Sequence, residues 1–164
     1  MKLRKLEQRD AIPMLEWMHD ESVVSHLGTN FREKTIEDCR RFIDWANSTD
    51  TDLHLAIAND EEEYMGTVSL KHIHEKKAEF AITVRACAMG KGYSGYGMAA
   101  ILEKGIRELG LETIYWCVSQ HNARAVRFYD KNGYIRTADV PETILNAYTP
   151  AQLADFIWYA YTGK

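Results

Sequence analysis

Cysteine is scarce and unpaired in pattern: three residues, Cys39, Cys87 and Cys117, with no C-x-x-C spacing. That excludes a disulfide framework and a zinc knuckle, and it fits a reducing compartment. Proline is rarer than average, with Pro13, Pro141 and Pro150 alone, so most of the chain is free to form regular elements. No apolar run approaches the ~18 residues of a membrane span. The start, Met1 to Leu6, alternates charged and apolar residues and has no secretory core. There is no positive surplus either: the net charge is −4 and the pI near 5.9, which argues against a nucleic-acid partner. No repeat, linker or low-complexity tract breaks the 164 residues, so one domain over 1–164 is expected, in the cytoplasm and without membrane or nucleic acid. At 46% hydrophobic residues a chain of this length can bury a core with no metal or disulfide staple.

What is present is a change of period along the chain. Residues 2–6 read as a strand. Asp10 offers a helix N-cap with Pro13 in the tolerated first turn, and Ala11, Met14, Leu15 and Met18 share one helical face. A loop or short helix follows over 21–30. Thr35 to Asp38 resembles a capping box and opens a helix over about 35–48. The period then shortens to two. Leu53 to Ala58, Tyr64 to His72 and Ala78 to Arg85 read as three strands joined by hairpins, with Phe80, Ile82 and Val84 of the third set against Glu79, Ala81, Thr83 and Arg85. Gly90 to Gly97 opens a helix ending near Gly110. Thr113 to Ser119 is a nearly continuous apolar strand, as a buried central strand requires. Asn122 caps a helix that Gly133 ends, Tyr134 to Thr137 reads as a strand, residues 139–153 are ambiguous, and Asp155 to Tyr161 reads as a last strand.

Gly90-Lys-Gly92-Tyr-Ser-Gly95 matches G-x-G-x-x-G, yet the context is wrong for a dinucleotide fold. Arg85 to Met89 separate the glycines from the preceding strand, hairpins replace βαβ units, and no acid closes the next strand. The shared physics remains. Glycines let the backbone approach a ligand, and amides at a helix start attract an anion. A phosphate or pyrophosphate site is expected there.

Two stretches, in order, carry a family resemblance. Met89-Gly-Lys-Gly-Tyr-Ser94 is similar to the Q/R-x-x-G-x-G/A pyrophosphate loop of the GNAT superfamily of N-acetyltransferases. Asn122 to Tyr134 (NARAVRFYDKNGY) is similar to its N-x-x-A-x-x-F-Y-x-K-x-G-F helix. Leu3-Arg4-x-Leu6-x-x-x-Asp10 resembles the start of many members. Met89 and Ser94 depart from the pattern. The resemblance, over about 1–138, implies an α/β fold of the α+β type. A mixed, mostly antiparallel sheet of six or seven strands would be flanked by about four helices: strand, two helices, three strands, helix, strand, helix, two strands.

The resemblance also implies acetyl-CoA as co-substrate, with no metal. Its pyrophosphate would lie on the amides of Gly90, Lys91, Gly92, Tyr93, Ser94 and Gly95, and its pantetheine arm along Ile82, Thr83 and Val84. Asn122 would bond the pantetheine amides. Lys91, Arg124 and Lys131 are candidates for phosphate contacts. Tyr129 is the candidate acid for the leaving thiolate, and Glu79 is a candidate base. His72 and His74 are possible relays but lack further metal ligands, and Cys117 has no base near it in sequence. The implied reaction moves an acetyl group to a small-molecule amine, polyamine-like or an amino sugar, by a monomer or homodimer. Three readings stay open beside it: a non-catalytic CoA sensor or interaction module, an acetyltransferase acting on protein N-termini, and a nucleotide-binding oxidoreductase. The acceptor is expected to meet the 20–34 loop and the 72–77 hairpin.

Overall fold

The computed structural model describes residues 1–25, 27 and 30–163. Part of the 20–34 loop therefore lies outside the described residues. The elements are β1 (Lys2–Lys5), α1 (Ala11–Met18), α2 (Glu21–Val24), α3 (Ile36–Ala46), β2 (Leu53–Ala58), β3 (Tyr64–His74), β4 (Lys77–Val84), α4 (Tyr93–Arg107), β5 (Thr113–Ser119), α5 (Ala123–Lys131), β6 (Ile135–Arg136), α6 (Glu142–Leu145), α7 (Pro150–Asp155) and β7 (Phe156–Tyr161). They form one seven-stranded sheet in the order β1-β2-β3-β4-β5-β7-β6. Only β4 and β5 pair in parallel; the other neighbours are antiparallel. The parallel pair exists because α4 crosses over between its two strands, whereas short turns join β2, β3 and β4.

The α3 start follows the sequence closely. Thr35 accepts the Asp38 amide, and Asp38 accepts the Thr35 amide. Asp10 marks the α1 boundary but does not cap it. Its carboxylate is 2% exposed, takes both guanidinium nitrogens of Arg4 at 2.8 and 2.9 Å, and accepts the Glu7 amide. Such a buried bidentate pair fixes β1 to the entry of α1, and removing one partner strands the other charge. The four expected helices are α1, α3, α4 and α5. The short α2 falls in the stretch read as a loop or short helix, α6 and α7 are additional, and Leu109, just past the end of α4, is 44% exposed.

Alternation along the strands sorts side chains to two faces. On one, α4 packs on Ile57, Leu70, Phe80, Ile114 and Trp116 through Met98, Ile101 and Leu102, and α5 joins the same cluster through Val126, Phe128 and Tyr129. Each such aliphatic side chain contributes about 1.5–3 kcal/mol by leaving water. Helix α4 sits so close that a Cβ at Gly97 would stand 2.5 Å from the Ile57 Cδ1. The other face is covered in two patches. Helices α1 and α3 cover β1–β3 through Trp17, Cys39 and Ile43, and residues 140–156 cover β5 and β7 around Tyr115, Ile144 and Trp158.

Candidate active site

The sheet parts at its centre. Strands β4 and β5 pair only through Lys77↔Thr113, Ala78↔Ile114 and Glu79↔Tyr115. Beyond them β4 stays with β3 as far as Val84, while β5 follows β7 as far as Ser119. From Phe80 to Val84, β4 therefore has an unpaired edge inside the sheet, with Ile82 and Thr83 half-buried along it. Backbone groups on such an edge need partners, and an extended ligand can supply them as an added strand.

The glycine loop stands at the open end of this cleft. Gly90 and Gly92 have φ of +75° and +90°, conformations that L side chains avoid, and a Cβ at Gly92 would meet nothing nearer than the Met1 Cε at 3.7 Å. The limit at Gly92 is thus backbone conformation, with open space in front of it. Gly92 is the N-cap of the 15-residue α4. The amides of Gly90, Gly92, Tyr93, Ser94 and Gly95 find no acceptor among the described residues, while Lys91 bonds Ala88 at 3.4 Å and Tyr96 bonds Gly92 at 3.1 Å. A cluster of free amides at the positive end of a helix is an anion site. Met89, which departs from the family loop, is half-buried and packs against both large cores, so apolar contact anchors the loop.

Helix α5 closes one side. Asn122 spends its Oδ1 on capping: it accepts the Ala125 amide at 3.3 Å. That leaves one lone pair of Oδ1 and the amide nitrogen for a ligand. Phe128 lies 3.9 Å from where a Gly95 Cβ would be, which brings α5 against the first turn of α4. Arg124 and Lys131, four before and three after Phe128, project from that same side of α5; both are exposed, as is Lys91. Tyr129 is wedged among aromatic rings, with centroids 5.6 Å from Trp116 and 5.1 Å from Tyr159. Burial, and then Cys117 and Tyr159, push its phenol above the ordinary tyrosine range, so it holds its proton. Its hydroxyl makes no hydrogen bond among the described residues. The neighbouring Trp116 indole nitrogen is buried without a partner.

Glu79, the candidate base, is not an ordinary outward residue of an alternating strand: it is 2% exposed. Alternation does put it opposite Phe80, yet the segment after α5 folds back over that side. Oε2 of Glu79 accepts a short hydrogen bond from the Tyr148 hydroxyl, and Oε1 is buried with no partner. Leaving such an atom bare costs about 1–3 kcal/mol or more for a charged group, so the arrangement calls for a use. Cys117, on the same side of β5, is pushed up to about 12, first by burial and then by the Glu79 charge, and is not a thiolate. His74 is exposed at the hairpin end, and His72 has φ +55° with its amide donating to Asp52. Neither reaches Glu79 in a recorded hydrogen bond.

Two groups escaped the sequence reading. Tyr148 lies in the segment read as ambiguous. A buried Asp52–His54–Ser69 chain joins β2 to β3, with 3.1 Å from Asp52 to His54 Nε2 and 2.6 Å from His54 Nδ1 to Ser69. The alternation in β2 showed His54 only as one of its polar positions. A half-open pocket of about 260 Å³ lies elsewhere, beside α4 between Ile106, Tyr134 and Tyr161. The turn Glu61–Glu63 serves the β1 edge, where Glu62 pairs with Lys2 and Arg4. Among the described residues no helix is long and apolar enough to cross a membrane, and no cluster of three metal-ligating side chains occurs.

The Acetyltransferase (GNAT) domain family matches residues 1–135. The fold is shared with a spermidine N-acetyltransferase from Vibrio cholerae, crystallised with CoA and spermine. That structure is 17% identical with a TM-score of 0.80, over 98% of this chain and 94% of that one. It is shared too with a GNAT-family acetyltransferase from Bacillus anthracis, at 20% identity and a TM-score of 0.75, over 98% and 93%. No curated protein sequence matches the chain.

Proposed function

The chain belongs to the GNAT acetyltransferase family, and from that premise we propose that it moves an acetyl group directly from acetyl-CoA to a primary amine of a small molecule, polyamine-like or an amino sugar. The observation that carries the reading is the parted β4–β5 pair with the free amides of Gly90, Gly92, Tyr93, Ser94 and Gly95 at its mouth. The amides take the pyrophosphate, with Lys91, Arg124 and Lys131 beside it. The bare edge through Ile82, Thr83 and Val84 takes the pantetheine arm. The spermine in the Vibrio cholerae structure supports a polyamine-like acceptor. The free cysteines support a cytoplasmic site of action.

The chemistry asks for a neutral amine, because only about one alkylamine in 10³ is unprotonated at pH 7. Glu79 takes a proton from the amine, directly or through water. The nitrogen then forms its bond to the acyl carbon as the carbon–sulfur bond breaks. Tyr129 gives its proton to the departing thiolate, whose conjugate acid lies near 8.5, and the proton that the nitrogen sheds as it becomes an amide returns through water to the tyrosinate.

Thiol release from acetyl-CoA tests this, scored over spermine, spermidine, amino sugars and a peptide with a free N-terminus. Release with a small amine is the expected result. CoA binding without release on any amine would instead make the chain a sensor, and release on the peptide alone would move the acceptor to protein.

A further inference from the structure

The turn between α6 and α7 lies beyond residue 135, where the family match ends. Among the described residues it nevertheless supplies the one side-chain hydrogen bond to Glu79, at Oε2, while Oε1 is buried with no partner. We propose that Tyr148 is a positioning residue for acetyl transfer: its hydroxyl pins one oxygen of Glu79 and leaves the other as the proton acceptor for the amine. This rests on the reading of Glu79 as the base.

Tyr148 is built to hold still. Its ring stands edge-on to Phe156 at 5.2 Å and to Trp158 at 5.8 Å. Its amide bonds Leu145 at 3.1 Å, and the next residue, Thr149, begins a capping box with Pro150 in the first turn. Backbone and ring are thus both fixed, so the hydroxyl arrives at Glu79 with little freedom to lose. It also stays a donor. Burial, and then the neighbouring Cys117 and Glu79, push the phenol far above its ordinary range. The groups that face Glu79 are Lys71 from β3, Tyr115 and Cys117 from β5, and Tyr148 from the covering turn. Of these, Tyr148 alone makes a recorded hydrogen bond or ion pair with it. In the step itself the amine proton passes to the bare oxygen, the amine keeps the electron pair it uses to attack, and Tyr148 keeps its own proton.

The test is steady-state thiol release by the full chain with acetyl-CoA and the best amine of the panel, for Tyr148→Phe, Glu79→Gln and the double variant. Tyr148→Phe removes a single oxygen and keeps the ring, and a melting curve checks the fold. We expect kcat to fall about 10- to 100-fold, as misplacing a catalytic group does. The amine KM and calorimetric CoA affinity should stay within about twofold. The double variant should be no slower than Glu79→Gln, because Tyr148 acts only through Glu79. A normal kcat in Tyr148→Phe, or losses that multiply in the double variant, would overturn the positioning role and leave the base assignment standing. Full turnover by Glu79→Gln would overturn both, as would CoA binding with no turnover on any amine.

Discussion

Replacing Gly92 with valine separates what the loop needs for folding from what it needs for its ligand. The residue has φ +90° and ψ −1° as the N-cap of α4. A left-handed L residue costs about 1–2 kcal/mol. For a chain of this size each kcal/mol moves the melting temperature by about 2–4 °C, so a loss of about 2–8 °C follows if the backbone keeps its shape. If it relaxes instead, the amides around it turn away from their common focus. A hydrogen bond from an amide to a charged group is worth about 1.5–3 kcal/mol. Misaiming two of them therefore weakens CoA binding by about 3–6 kcal/mol, or roughly 10²- to 10⁴-fold. The control is Gly110→Val just past the other end of α4, where φ is +68° and a Cβ meets nothing within 4 Å, against one side-chain carbon at 3.7 Å for Gly92. It carries the same backbone strain with no amide cluster. Calorimetric titration with CoA and a thermal melt on both variants give the answer. Equal melting losses with only Gly92→Val losing affinity is the expected outcome. A folded Gly92→Val that binds CoA within twofold of the parent would refute the loop assignment.

Tyr129→Phe should lower kcat by about 10² or more while CoA affinity and melting temperature hardly move, because the hydroxyl has no protein partner among the described residues to lose; a normal kcat where chemistry limits turnover makes the residue structural. Changing Glu61, Glu62 and Glu63 together to glutamine should leave the acceptor KM untouched, since Glu62 is committed to Lys2 and Arg4 at the β1 edge; a raised KM would bring the turn into the acceptor site. His54 is held below its ordinary 6.5, first by burial, against the opposing pull of Asp52 and with Lys71 and His72 adding to the depression. The unfolded chain then binds the proton more readily, so its contribution is complete above about pH 6.5 and is lost as pH falls towards the folded value, with a slope of at most about 1.4 kcal/mol per pH unit. Urea melts from pH 7.5 to 5 on the parent and His54→Gln should show this slope in the parent alone.

Local chemistry was legible and long-range closure was not. The Thr35–Asp38 box, the hairpin strands and the left-handed glycines are written in short-range residue choices, and each stands where those choices put it. The link from Arg4 to Asp10 shows in the sequence as two charges of opposite sign, but only the fold shows them buried against each other. The parting of β4 from β5 after Glu79 has no local signature, because both strands keep regular patterns past that point and the separation follows from their different partners. Residues 139–153 read as ambiguous because helices of four and six residues are too short to show a period. The Thr149-Pro-x-Gln152 start signal marks α7 but says nothing of where α7 packs. That is why alternation gives Glu79 a face but leaves open whether that face is buried.

The two candidate proton carriers stand on opposite faces of one sheet. Glu79 is the last residue of β4 to pair with β5, and its partner Tyr115 immediately precedes Trp116, whose ring touches Tyr129. Glu79 shares its face with Cys117 and Tyr148, whereas Tyr129 belongs to the core beneath α4 and α5. On the proposed reading the parted strands form a slot through the sheet. The amine gives up its proton on the face that the α6–α7 turn covers, and the thiolate receives one on the face that α5 covers. Neither group can do the other's work, because the sheet stands between them. Such a division suits a direct transfer, in which one group must accept a proton while a different one donates. It also gives the chain after residue 135 a part in the site: β7 pairs with β5 beyond the point where β5 leaves β4, and Tyr148 hydrogen-bonds the proposed base.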